Sequence, residues 1–185
     1  LNSFGGDNYM RGGEGNDGRT GGRGFDDMHG NQGNDFVNGM GGDDWVVGGQ
    51  GNDSVGGDTG NDIVYGNRGA DRAEGGDGND TVRGGQDNDT VSGEAGDDLL
   101  SGDRGDDTLT GGAGADRFVT FGDAGTDRVT DFNRGQGDRV WVEDGHAWTT
   151  AQVGADTVIS VAGGATMTLV GVSLSSLSGD WIGAA

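Results

Sequence analysis

The sequence contains no cysteine and no lysine, and only two histidines. Without thiols, disulfides and thiolate metal sites are excluded, and soft metals are poorly served. Missing cysteine does not by itself fix a compartment. All eleven basic residues are arginine, against 32 acidic ones, so the net charge is −21. A chain of that sign repels phosphate, which excludes nucleic acid as a partner. No stretch approaches the roughly twenty apolar residues of a membrane span, and no basic-then-apolar signal segment opens the chain. It begins at Leu1, inside a Gly-rich phrase, and reads as a fragment or a processed product. Only 30% of residues are hydrophobic. That share, with so high a net charge, normally leaves too little apolar burial to offset ordering entropy.

What the sequence has in abundance is glycine, 45 residues, and it is periodic. From residue 12 to 119 the chain is twelve head-to-tail nonapeptides of the form G-G-x-G-x-D-x-U-x, where U is apolar. Gly12, Gly21 and every ninth residue to Gly111 hold position one. Asp17, Asp26, Asp35, Asp44, Asp53, Asp62, Asp71, Asp80, Asp89, Asp98, Asp107 and Asp116 hold position six. Position two is Gly, Asn or Asp except at Met40 and Glu94, and position four is Gly except at Asp87. These residue types tolerate positive φ, so positions one to six read as a turn. Positions seven to nine read as a very short strand whose central side chain faces inward.

The inward row is Met28, Val37, Val46, Val55, Val64, Ala73, Val82, Val91, Leu100, Leu109 and Phe118. Arg19 takes that place in the first copy, so this end is expected to be loose or covered by preceding chain. Two copies, eighteen residues, close one coil. Successive coils stack as parallel strands in two facing sheets, an all-β solenoid stabilised by neighbouring repeats. Stacking brings the position-six carboxylates into two rows, one along each edge. Rows of anions repel unless a cation lies between them. Carboxylates and the carbonyls of Gly-rich loops are hard oxygen ligands in flexible geometry, which suits calcium better than magnesium or zinc.

Copies such as Gly48-Gly49-Gln50-Gly51-Asn52-Asp53-Ser54-Val55 and Gly75-Gly76-Asp77-Gly78-Asn79-Asp80-Thr81-Val82 resemble the RTX (repeats in toxin) family of secreted bacterial proteins. The nonapeptide is that family's known calcium-binding repeat. The resemblance implies a parallel β-roll in which each calcium is held by Asp side chains from two turns, one coil apart, plus backbone carbonyls. Pairing Asp17 with Asp35, and so on to Asp98 with Asp116, gives about ten Ca2+ sites on this stacking geometry. Residues 12–119 carry 23 acidic and 7 Arg residues, a net of −16 that such occupancy would cancel.

Residues 1–11 read as a degenerate first repeat forming the N-terminal edge, and 120–185 as a β-rich C-terminal cap. Within the cap, Arg128 to Phe132, Arg139 to Val142, Thr157 to Val161 and Thr166 to Val170 alternate as strands do. Asp131-Phe132 and Gly137-Asp138-Arg139-Val140 resemble the C-terminal part of serralysin-type proteases and alginate epimerases. That resemblance implies an uncleaved type I secretion signal near Leu174 to Ala185, hence the secretion apparatus as a partner and a secreted or cell-surface location in a Gram-negative bacterium. The expected function is a calcium-driven folding and export module of a larger secreted protein. The alternative is a self-assembling surface protein whose partners are cell-surface components or copies of itself, with outward Phe36, Trp45, Ile63 and Leu99 as contacts.

No enzyme is expected in these residues; a catalytic domain would lie upstream. Gly13-Glu14-Gly15-Asn16-Asp17-Gly18 fits a dinucleotide pattern, yet no apolar strand precedes it and no helix follows. Asp131-Phe132-Asn133 starts like an EF-hand, but Gln136 and Val142 replace the required Gly and Glu. His29 and His146 are far apart and have no nucleophile motif around them.

Overall fold

The computed structural model describes residues 5–184 and is an all-β parallel solenoid. One sheet runs β1 (Asn8–Glu14), β3 (Asp26–Gln32), β5 (Trp45–Gln50), β7 (Ile63–Arg68), β9 (Thr81–Gln86), β11 (Leu99–Arg104), β13 (Arg117–Thr120), β15 (Arg139–Val142) and β19 (Ile182–Ala184). The facing sheet runs β2 (Gly18–Arg23), β4 (Phe36–Gly41), β6 (Ser54–Thr59), β8 (Arg72–Asp77), β10 (Thr90–Ala95), β12 (Thr108–Ala113) and β14 (Thr126–Val129). It is completed by β18 (Thr166–Leu169), β17 (Asp156–Val161) and β16 (Trp148–Val153). Successive strands alternate between the sheets, and partners in a sheet are eighteen residues apart, as in Val46 opposite Val64.

The strands are longer than the repeat suggests. β6 covers positions seven to nine of one copy and one to three of the next, so the turn shrinks to positions four to six. Positive φ does occur at position two, from 66° at Asp103 to 84° at Asn67 among its non-Gly residues, but inside a strand, as a bend. The ladder skips position one and resumes at position two itself, as in Gly49 opposite Asn67, so residue types suited to turns here sit within a ladder. At position four the requirement for Gly is steric as well as conformational. A Cβ on Gly33 or Gly69 would overlap the carbonyl oxygen of Gly15 or Gly51 one coil back.

The apolar row from Met28 to Phe118 is fully buried between the sheets and continues into the cap through Val129, Val140, Ile159, Met167 and Leu169. At the N-terminal end Arg19 takes the inward place, in register with Val37, and its side chain is largely buried. Its guanidinium pairs with Asp17 at 3.1 Å and donates to the carbonyls of Arg11 and Gly12, while Met10 packs against the core.

At the other end parallel stacking carries on past Val119: β14 pairs with β12, and β15 with β13. One edge is then finished by the antiparallel run β18–β17–β16 and the other by β19. Phe118, Phe132 and Trp181 plug the interior, with ring centroids 6.1 and 6.4 Å apart in sequence. Leu174–Ser176 forms a short 3-10 turn, β19 follows, and Ala185 lies outside the described residues. Among the described residues no helix is long and apolar enough to cross a membrane.

Candidate metal centre

Each turn presents its position-six Asp inward, against the turn one coil earlier. The backbone N–H of Asp35 donates to Asp53 Oδ1 at 2.8 Å, that of Asp53 to Asp71 Oδ1 at 2.7 Å, and that of Asp71 to Asp89 Oδ1 at 2.7 Å. The other edge repeats this from Asp26 through Asp44, Asp62, Asp80 and Asp98 to Asp116. The residues paired in sequence as Asp17–Asp35 to Asp98–Asp116 are therefore direct neighbours.

Only one oxygen of each carboxylate is used in this way. The Oδ2 atoms of Asp35, Asp44, Asp53, Asp62, Asp71, Asp80, Asp89, Asp98, Asp107, Asp116 and Asp127 are buried and accept no hydrogen bond. They lie in space that only Gly leaves open at position one. Beside Gly30, for example, sit Asp35 Oδ2 and the carbonyl oxygen of Gly48. An anionic oxygen thus faces carbonyl oxygens with no donor between them. Burial drives carboxyls in both rows up from their ordinary 3.8, to about 6 at Asp44, about 7 at Asp62 and about 8 at Asp89. The amide from the previous coil opposes that shift, and neighbouring Asp residues add to it.

A buried acceptor left unsatisfied costs about 1–3 kcal/mol, more if charged. Eleven of them outweigh the roughly 5–15 kcal/mol by which a domain is normally stable. The arrangement requires either protons or cations. Hard, anionic and carbonyl oxygens without nitrogen or sulfur fit calcium. Among the described residues no three His, Cys, Asp or Glu side chains converge on one point. Carboxylates meet two at a time, so carbonyls must complete any six- to eight-oxygen shell.

The ends of the rows differ from their middle. Asp17 is paired with Arg19. Asp26 is fully engaged: Oδ1 accepts from Asn8, and Oδ2 from the Gly22 N–H at 2.8 Å. At the C-terminal end both rows gain a member that even nine-residue spacing does not mark. Asp107 N–H donates to Asp127 at 3.3 Å, and Asp116 N–H to Asp138 at 3.2 Å. Asp131 is not a ligand candidate, because its two oxygens accept from Gly111 and Gly112.

A second ladder also escaped the sequence reading. Position-five side chains accept from the backbone N–H of the following coil, as in Asn34 to Asn16 at 2.9 Å, Asn52 to Asn34 at 2.9 Å and Asn79 to Asn61 at 3.0 Å. It runs opposite to the Asp ladder, and together they satisfy two consecutive turn amides. The signal was present, since position five is Asn or Asp in most copies.

Parallel coils stacked through glycine turns, with hard-oxygen gaps along both edges, define a β-roll of the cation-binding kind. The sequence matches the RTX calcium-binding nonapeptide repeat (4 copies) over residues 1–18, 20–55, 56–91, 83–118 and 92–129. The chain belongs to this family and is a calcium-binding RTX module, a structural repeat domain rather than a catalytic one. Among solved structures it is similar to an extracellular lipase from Serratia marcescens, at 22% identity and a TM-score of 0.40. That similarity covers 97% of this chain and 40% of the lipase chain. No curated protein matches.

Proposed function

We propose that this chain is the calcium-driven folding and export module of a larger secreted bacterial protein, with the position-six Asp residues from Asp35 to Asp116 and turn carbonyls as calcium ligands, while Asp17 and Asp26 are engaged by Arg19 and by backbone amides. The observation that carries this reading is the double file of buried Oδ2 atoms without donors. Binding that needs folded turns is coupled to folding. Extracellular calcium modules have Kd on the order of 10⁻⁴ to 10⁻³ M, so the chain stays unfolded at cytosolic calcium and folds outside the cell. Export through a type I apparatus of a Gram-negative bacterium rests on the resemblance of the C-terminal segment. An unfolded, net −21 chain is suited to threading. Far-UV circular dichroism and size-exclusion chromatography test the folding step. The expected result is an expanded coil in EGTA and a compact β signal in millimolar calcium; the same β signal in both would overturn it.

Self-assembly is the second reading. Trp45 and Ile63 are direct partners on the outer face of one sheet and are both 41% exposed, with Phe36 52% exposed on the other sheet. Leu99 is half-buried and a weaker contact. Light scattering that grows with calcium would favour assembly; a monomer in both states favours the module.

A further inference from the structure

We propose that β16, the free edge of the cap, pairs antiparallel with β16 of a second copy, about a dyad at Thr150, to give a closed dimer of the folded chain. The proposal goes beyond the calcium reading and involves no metal ion.

β16 is the last strand of the ten-stranded sheet and is paired on one side only, to β17. The Ala162 N–H donates to the Ala147 carbonyl at 2.8 Å, and Val153 opposite Asp156 closes a two-residue hairpin loop. Antiparallel strands alternate between bonded and non-bonded pairs. Ala147, Thr149, Ala151 and Val153 therefore direct their backbone groups to β17, and Trp148, Thr150 and Gln152 turn theirs away. Among the described residues no backbone group outside the hairpin bonds to the N–H or carbonyl of these three.

The other three sheet edges are blunted. β1 carries Arg11 and Glu14, β2 carries Arg19, Arg23 and three glycines, and β19 has only three residues. Charge, glycine and shortness all discourage pairing at an edge. β16 has none of these. Trp-Thr-Thr-Ala-Gln-Val is uncharged, rich in strand-forming residues, and exposed from Thr149 to Val153.

Charge and symmetry select a second copy as the partner. Residues 120–185 carry eight acidic side chains against three Arg, so the cap surfaces of two copies repel in general. The uncharged strand is a neutral seam between them. It is also its own complement. With Thr150 opposite Thr150 of the copy, Trp148 falls opposite Gln152 and Gln152 opposite Trp148. Every outward amide and carbonyl then meets one from the other strand, as a two-fold interface requires. On the outer face Thr149 meets Ala151. A single strand pair is a small interface, so the dimer dissociates on dilution. The dyad stops growth at two copies, unlike assembly through the roll faces.

Sedimentation of the full chain in millimolar calcium should show a monomer–dimer equilibrium. Thr150→Lys and Thr150→Glu each place like charges at the dyad and should abolish it, and their equimolar mixture should restore it. Because the chain has no cysteine, single Cys variants read the register. Opposed residues of a bonded pair lie about 5.5 Å apart at Cα, within disulfide reach. Mild oxidation should link Thr150→Cys into a dimer and leave Thr149→Cys, offset along the strand from its own copy, unlinked. Circular dichroism checks that each variant folds; where the charge variants do not, the Cys pair decides. Wild type that stays monomeric at every concentration, folded charge variants that still dimerise, or equal cross-linking at 149 and 150 overturns the inference.

Discussion

The roll and the cap bury different things. From Asp35 onward, each nine residues of the roll contribute one apolar side chain and one carboxylate whose Oδ2 has no donor. The cap buries Val140, Val142, Ile159, Val161, Met167, Leu169 and Trp181. Among its acidic groups, Asp138 takes two amides, and Asp180, held below the usual value by a hydrogen bond from its own backbone, also takes Arg139 and Arg134. The difference teaches that one solenoid can have two sources of stability. The cap is held by apolar packing, as an ordinary domain is, whereas the roll is conditional on whatever neutralises its edges.

The largest effect that separates the two is pH in the absence of calcium. Asp44, Asp53, Asp62, Asp71, Asp89 and Asp98 have folded-state values of about 6 to about 8 against an ordinary 3.8. The folded roll therefore holds more protons than the unfolded chain between about pH 4 and 7, and its stability falls as pH rises through that window. In chelator, circular dichroism is expected to show β structure growing as pH is lowered from 8 to 4.5. With calcium present the trend reverses, because ligands must be deprotonated to bind, and the calcium midpoint rises on acidification. A metal-free β signal that declines with acid would break the comparison.

Within the cap, Trp181→Ala removes the ring that meets Phe132 edge-on behind Phe118. Urea unfolding at saturating calcium should show a loss of about 3–5 kcal/mol, typical of a buried aromatic truncation. Added calcium should not restore it. Recovery of wild-type stability at higher calcium would mean that the cap, too, is governed by its cations.

How much of this was legible without coordinates follows from the same division. In the roll, period nine exposes both the apolar row and the Asp rows, because each copy meets the same surroundings. The strands look shorter in the sequence than they are because Asn31, Asn67 and Asp103 carry positive φ within strands, a state that sequence does not distinguish from a turn. Asp127 and Asp138 were hidden by spacings of 20 and 22 residues, which register only once the coils are stacked. In the cap the alternating stretches at β15, β17 and β18 were visible. β16 was not, since its residues are mostly exposed and lack an alternating apolar face. That Asp138 is satisfied and Asp127 is not depends on where Asn133 places its amide, and no residue pattern encodes that.

Asp71→Asn tests the roll by the opposite route to Trp181→Ala. The amide keeps the acceptor for the Asp53 N–H but removes the charge that burial penalises. In millimolar calcium the variant should lose about 1–2 kcal/mol for each gap that Asp71 borders, the linkage expected for a site with Kd near 10⁻⁴ M. In EGTA the cost should vanish or change sign. Calcium titrations followed by circular dichroism, with urea melts in both media, read the two effects. Equal destabilisation with and without calcium would show Asp71 to be a packing residue only.

The smallest effect concerns the ion pair that joins the two regions at the surface. Arg104 on β11 reaches Asp123, just before β14, through Nε at 3.1 Å and Nη2 at 2.8 Å. Both side chains are more than half exposed, so water and salt screen the pair, and its worth lies in the range of about 0–1 kcal/mol. Arg104→Ala should therefore shift a urea midpoint only slightly, and less still in added salt. Both nitrogens donate to the one oxygen Asp123 Oδ2, and Asp123 and Asp127 lie in the same turn, so the two variants are directly comparable. If the junction is fastened at the buried carboxylate, Asp127→Asn must outweigh Arg104→Ala severalfold in a melt monitored by tryptophan emission, which three cap residues, Trp141, Trp148 and Trp181, dominate over the single Trp45 of the roll. Equal or inverted effects would place the fastening on the surface, and would make the cap an ordinary electrostatic neighbour of the roll rather than its last coil.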